Sequence, residues 1–226
     1  MFGSSSQPIY ELKIPDLGVD ATPLQGNGAP VLLSDGRQLS LTVTNLNYSL
    51  YGAWSLTPPT AGGASTDSNL GIGISGYKTP TSGVPTSGSA TYASGTNGVF
   101  GYVAAPSSSS VSTSALQGQA SVGVNFSTGA VSGSLTNMTV TPQGGSAAAW
   151  NNVNLSGSLS GSTLSGTTAS SGTPPGGTMS FDASSTGTFN GSLFGPNAQE
   201  LGASWTLRDA TGQGKSAIGY IGATKQ

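Results

Sequence analysis

The chain is 226 residues long, carries six basic and eight acidic side chains for a formal net charge of −2, and contains neither cysteine nor histidine. That composition excludes disulfides, thiolate chemistry and the two commonest transition-metal ligands, and basic residues so few and so scattered leave no footprint for nucleic acid or an anionic membrane. A Gly-, Ser- and Thr-rich sequence with no sustained 3.6-residue apolar repeat predicts an all-β fold, and no run of about 18 apolar residues offers a membrane-spanning helix.

The opening residues, MFGSSSQP, lack the charged region and apolar core of a signal peptide. Short strands are expected over residues 10–14, 30–33, 38–46, 48–56 and 70–77. Between them stand the turn signals Pro15-Asp16-Leu17-Gly18 and Ser34-Asp35-Gly36 and a polar, proline-bearing loop over 57–69. Leu39, Leu41 and Val43 alternate as one face of a strand does. The Gly71-x-Gly73-x-x-Gly76 run matches a dinucleotide fingerprint, but two prolines and several turn formers follow where the helix would have to start, so it reads as a glycine-rich strand.

From residue 87 the spacing becomes regular. About eight strands are expected, over 89–94, 117–126, 130–136, 153–159, 163–168, 187–194, 201–208 and 216–223, with tight turns at Ser127-Thr128-Gly129 and Ser160-Gly161-Ser162. Long connections fall at 99–115, 137–152 and 169–182, where binding usually resides. Such a set closes into an eight-stranded up-and-down antiparallel β-barrel preceded by a small β-rich handle. The expected inward set is Ala90, Val122, Val124, Phe126, Val131, Leu135, Val153, Leu155, Leu159, Leu164, Phe189, Leu193, Leu201, Ala203, Trp205, Ile218 and Tyr220, enough bulk to fill a small barrel. A transmembrane barrel is set aside because the strands read shorter than a bilayer needs and carry no aromatic girdles.

The clearest stretch is the hairpin over 187–208. Phe189, Gly191 and Leu193 fall on one face of its first strand and Leu201, Ala203, Trp205 and Leu207 on one face of its second, with polar residues opposite. Gly195-Pro196-Asn197 makes the turn. This hairpin, read as Gly191-x-x-Phe194-Gly195-Pro196-x-Ala198-x-Glu200-x-Gly202-x-x-Trp205, resembles the C-terminal barrel of transferrin-binding protein B, a scaffold shared with Slam-dependent surface proteins and haem-binding hemophilins. Residues 79–92 are like the approach to the first strand of these barrels and 215–224 like their last. Leu193 and Phe194 replace a common aromatic pair, and Ala203 a usual second glycine. The resemblance implies a handle over residues 1–86 and a barrel over 87–226. It also implies an exported protein, outside the cell or on the outer surface of a Gram-negative bacterium, with an export signal upstream of this chain. The motif residues Gly195, Pro196, Glu200, Gly202 and Trp205 mark the scaffold and carry no ligand with them. Glu200 is expected to accept backbone donors at its turn.

Catalysis finds no support. No serine has glycines at both second neighbours, no histidine can serve as base, and the scattered carboxylates sit beside turns, where capping is the usual role. No calcium-loop pattern occurs. No cofactor is expected; haem, which the hemophilin relatives bring to mind, would need Met138, Tyr51, Tyr77 or Tyr102 as axial ligand. The reading is a non-enzymatic surface or secreted protein that captures a solute or a partner protein. Trp150 and Asn151 in a barrel loop and Tyr51 and Trp54 in the handle are the candidate contact residues. The alternative, favoured by the scarcity of charge, is a self-assembling subunit of a surface layer or filament.

Overall fold

The computed structural model describes residues 9–25, 29–57, 69–95, 98–106, 111–142 and 144–226. The first hairpin pairs β1 (Ile9–Ile14) with β2 (Val19–Gln25). The predicted turn joins them, with Gly18 at φ 62°. β2 was not expected, because its apolar alternation is short, Val19 and Ala21 against Asp20 and Thr22, before Pro23 interrupts it. A four-stranded antiparallel sheet follows, in the order β3 (Val31–Leu32), β4 (Gln38–Asn45), β5 (Ser49–Thr57) and β6 (Asn69–Gly76). The loop expected over 57–69 lies outside the described residues except at its ends.

Alternation gives this sheet two apolar faces. On one, Leu39, Leu41, Trp54 and Leu56 pack beneath Leu12, Ile14, Leu17, Val19 and Ala21 of the first hairpin. On the other, Tyr51, Ala53, Ile72 and Ile74 pack against Phe100, Tyr102 and Tyr220 of the barrel. The sheet and its covering hairpin form the handle.

The barrel is built from β7 (Ser89–Ala93), β8 (Val99–Pro106), β9 (Val111–Asn125), β10 (Ala130–Pro142), β12 (Asn152–Ser160), β13 (Thr163–Ser171), β14 (Thr186–Phe194), β15 (Glu200–Arg208) and β16 (Ser216–Lys225). A two-residue strand, β11 (Ala148–Ala149), lies against the end of β10. Both β7 and β8 pair with β9 on one side and β16 on the other, so they are two halves of one stave, and eight staves close the ring.

The expected eight-stranded up-and-down barrel is what forms, with corrections in detail. Residues 99–106 and 111–115 are strand, not loop, and β9 and β10 run to 15 and 13 residues. In β8 the outward residues Phe100 and Tyr102 are covered by the handle, so both faces are apolar and alternation disappears. In β10 the register steps by one residue between Thr136 and Thr139, and Asn137 takes φ 50°. That bulge switches the inward positions from Val131 and Leu135 to Met138 and Val140, which breaks the period-two signal midway along the strand. In β16 the register was read one residue off. Ala217, Ile221 and Ala223 face the interior, whereas Tyr220 is buried outside the wall, beneath the handle.

Strand length therefore does not argue against a membrane barrel, but polarity does. The interior is packed with Val, Leu, Phe and Trp while Thr188, Asn190 and Arg208 lie exposed on the outside, the reverse of a lipid-facing barrel. Near the centre Trp205, 1% exposed, lies over Gly219 with Trp150 at a ring distance of 6.3 Å. Its Nε1 has no hydrogen-bond partner among the described residues, so packing alone holds it. Trp205→Ala is expected to cost about 3–5 kcal/mol by lost burial and the cavity left behind; a denaturant melt reads this directly, and a loss below about 1 kcal/mol, under the large-to-small range, would contradict an inward-facing ring.

Candidate functional site

The junction of handle and barrel is built on one carboxylate. Glu200, at the start of β15, is 1% exposed and, among the described residues, forms no ion pair. Its Oε1 accepts the backbone N–H of Asn47 at 2.7 Å, both oxygens share that of Tyr48 at 3.1 Å, and Oε2 accepts the Ser49 hydroxyl at 2.5 Å. It does accept backbone donors, but those of the β4–β5 turn, some 150 residues earlier in the chain. Since Ser49 has a single proton and gives it to Glu200, the Tyr51 hydroxyl supplies the proton in the 2.5 Å Ser49–Tyr51 bond.

The remaining motif residues shape the same socket. Gly202 and Gly222 are cross-strand partners, and a Cβ at Gly202 would come within 2.5 Å of the Tyr51 ring, so glycine is what lets the ring lie on the barrel wall. Tyr51 in turn stacks on Tyr220 at 5.6 Å, and the Tyr220 hydroxyl bonds Thr44 at 2.9 Å. Gly195, at φ 84°, turns the hairpin so that its N–H reaches the Tyr77 carbonyl and its carbonyl receives the Thr79 hydroxyl. Tyr92, inside the barrel, donates to the Ala198 carbonyl at 2.8 Å and ties the turn down. Burial pushes the phenols of Tyr51, Tyr102 and Tyr220 up, and that of Tyr92 up to about 12.

Two hollows flank the handle sheet at β6. On the outer face, Gly52 and Gly73 pair across β5 and β6 and leave an apolar hollow of about 210 Å³, walled by Leu12, Leu41, Val43, Leu50 and Trp54. On the barrel side, a groove of about 500 Å³ runs between Ile72 and Ile74 of β6 and the outer wall of β14 and β15 at Asn190, Ser192 and Ser204, with Lys78 beside it.

The three long connections singled out in the sequence all reach the opposite end of the barrel from the Gly195 turn, and this end is tied shut. Trp150 is 4% exposed and donates through Nε1 to the Met179 carbonyl at 2.8 Å. Asn151 is fully buried, accepting the Phe181 N–H at 2.8 Å and donating to the Phe181 carbonyl and the Ser170 hydroxyl. Lys215 lies 3.4 Å from Asp209, donates to the Ser180 carbonyl and stands over the Phe181 ring. Burial alone would raise the Asp209 carboxyl, but the Thr211 hydroxyl, the Asp182 N–H and the Lys215 ammonium outweigh it and hold it below the ordinary carboxylate range.

Of the four candidate contact residues, then, Trp150 and Asn151 are interior plug residues with no free face to offer a partner. Tyr51 is the inner face of the handle. Only Trp54 lines a surface hollow, and sequence reasoning missed the glycine pair that makes it. The four candidate haem ligands do not form a seat: Met138 is inside the barrel, Tyr51 and Tyr102 are under the handle with Ser49 and Ser55 as hydroxyl partners, and Tyr77 is 60% exposed at the surface. Among the described residues no three of His, Cys, Asp and Glu gather as a metal site.

A handle locked to a filled barrel, with its outward features on the handle, defines a two-part handle-and-barrel scaffold. The chain belongs to the family of the C-lobe and N-lobe beta barrels of Tf-binding protein B, whose model matches residues 84–225. Among solved structures it is similar to a transferrin-binding protein B of Haemophilus parasuis (17% identity, TM-score 0.62, 95% of this chain and 40% of that one). It is similar also to isotype 1 transferrin-binding protein B of serogroup B Neisseria meningitidis (20%, 0.58, 97% and 40%) and to the N-lobe of lactoferrin-binding protein B of Moraxella bovis (11%, 0.51, 85% and 80%). The chain thus spans about two fifths of the length of these two transferrin-binding relatives. No curated protein matches it in sequence.

Two outcomes test the junction. Glu200→Ala leaves two backbone donors and a hydroxyl without their acceptor, so a loss of about 2–3 kcal/mol is expected, together with faster amide exchange at Asn47 and Tyr48. Alkali should act on the phenols. Their unfolded forms ionise near pH 10, while Tyr92 holds its proton to about 12. In that window the unfolded state binds fewer protons, so stability present below pH 10 is lost as pH rises, and phenolate absorbance should appear together with unfolding in an alkaline melt.

Proposed function

We propose that this protein is a non-enzymatic, cofactor-free binding protein of the bacterial surface or its surroundings, and that it captures a partner protein through the outer side of its handle. The observation that carries the reading is the apolar hollow beside Trp54 on a sheet held rigidly to the barrel. Its size, about 210 Å³, is below the roughly 300–1,000 Å³ of small-molecule pockets and suits one large side chain. A partly exposed tryptophan next to such a hollow is the residue type that dominates protein interfaces. The packed barrel interior favours a protein partner over an enclosed solute.

The first candidates are transferrin and lactoferrin, the proteins named in the descriptions of the similar structures. Surface plasmon resonance of the whole chain over immobilised vertebrate transferrin and lactoferrin tests this. Saturable binding is expected, and Trp54→Ala should weaken it about 30-fold, the effect of losing a hot spot of about 2 kcal/mol, in a variant shown by its melt to be folded. No saturable response on either protein would remove both candidates.

A further inference from the structure

We propose that the free edge of β6 is a strand-addition site. An extended segment of the partner protein pairs with it, placing alternate side chains in the outer hollow and in the barrel-side groove. This rests on the partner-protein reading above and names how the partner would be held.

β6 is the last strand of the handle sheet and, among the described residues, pairs only with β5. The Tyr77 N–H donates to the Tyr48 carbonyl at 2.8 Å, and the register continues as Ser49 with Gly76 and Leu50 with Ser75. In an antiparallel ladder the bonded pairs alternate, so the main-chain groups of Leu70, Ile72 and Ile74 point away from β5. No bond from them to another described residue completes a second ladder. Proteins commonly blunt such edges with short strands, proline, charge or bulges. The opposite edge is blunted: β3 has two residues and follows Pro30. β6 has eight residues and carries no charge, proline or bulge.

What lies on either side of this edge identifies the occupant. Ile74 and Ser75 border both the groove and the hollow. A strand added beside β6 would set the residues opposite Ile72 and Ile74 into the groove, facing Asn190, Ser192 and Ser204, with the Lys78 ammonium available to a carboxylate. The residue between them would stand opposite Gly73, on the outer face, within the usual 4.5–5.5 Å of a cross-strand neighbour. A Cβ built on Gly73 meets nothing within 4 Å, so a long apolar side chain can lean over that glycine into the hollow beside Trp54. Pairing through the main chain, with pockets reading every second side chain, is how extended peptides add to sheet edges. The sequence pattern this fits is polar or acidic, large apolar, polar or acidic.

A second copy does not fit the same edge. Antiparallel pairing of β6 with its own copy relates the two sheets by a twofold axis perpendicular to them, which puts both barrels on the same side. The wall of β14 and β15 lines the groove on that side, so each copy would bring its own barrel wall towards the same space, which a single extended segment does not.

The test uses the whole chain and a phage-displayed library of random nine-residue peptides, followed by synthesis of the enriched sequences. The expected result is enrichment of the alternating pattern, with peptide binding that slows amide exchange at Ile72 and Ile74. Two changes should each weaken binding at least tenfold: Gly73→Leu, which fills the hollow from within, and N-methylation of the peptide at the residues opposite Ile72 and Ile74, which removes its ladder donors. The proposal is overturned if nothing enriches, if protection falls elsewhere, or if neither change matters. Protection of both amides already in the unbound monomer would overturn it too, as would concentration-dependent dimerisation that protects them. Transferrin and lactoferrin responses separate the two readings: peptides on β6 without either protein would fail those candidates alone, and either protein bound without β6 protection would fail strand addition alone.

Discussion

The structure depends on a buried carboxylate whose partners come from the other half of the molecule. Away from water, the Glu200 carboxyl is tolerable only where several donors converge on it, and those donors exist only when the β4–β5 turn sits against the start of β15. The constraint runs in both directions. The handle sheet has one face that must be covered by the barrel, and the barrel has at Tyr220, Phe100 and Tyr102 an outward aromatic patch that must be covered by the handle. A directional anchor combined with a non-directional apolar contact fixes both the register and the closeness of the two parts.

One hairpin thus organises both parts of the scaffold. Gly195 sets the turn, Glu200 holds the handle, Gly202 admits the Tyr51 ring, and Trp205 fills the interior on the opposite face of the same strand. Alternation along β15 thus serves two partners at once, handle outside and core inside. None of these residues is left free to choose a ligand. The outer face of the handle and, among the described residues, its β6 edge are surfaces these residues do not use.

How much could be read from the sequence follows from where water lies. The 187–208 hairpin was legible because its inward residues alternate with Thr188, Asn190 and other polar ones that meet solvent. So was the number of staves, since tight glycine turns at Gly129 and Gly161 punctuate them. β8 and β16 were misread for a common reason: both lie beneath the handle, so Phe100 and Tyr220 are apolar on the outward side. The far half of β10 was hidden by its bulge at Asn137. The site was less legible than the fold. Tyr51 and Trp54 were picked out as aromatic residues of one strand, yet alternation sends them to opposite faces, one into the junction and one to the hollow. Trp150 and Asn151 were candidate contacts because they stand in a polar loop, but their partners, Met179 and Phe181, lie some 30 residues further on. Nothing local in sequence reveals such a pairing.

The closing of the ring by β16 has a consequence in time. The first stave, β7 with β8, has no partner on one side until the last ten residues of strand are made, and Glu200 reaches Ser49 across 151 residues. At typical synthesis rates of roughly 5–20 residues per second, the handle turn waits on the order of ten seconds for its acceptor. Topologies closed by such distant pairings also fold slowly. Until β16 emerges, the barrel strands form an open sheet with two unsatisfied edges. The place of β16 after every other stave therefore sets when the ring can close and the handle can be locked to it.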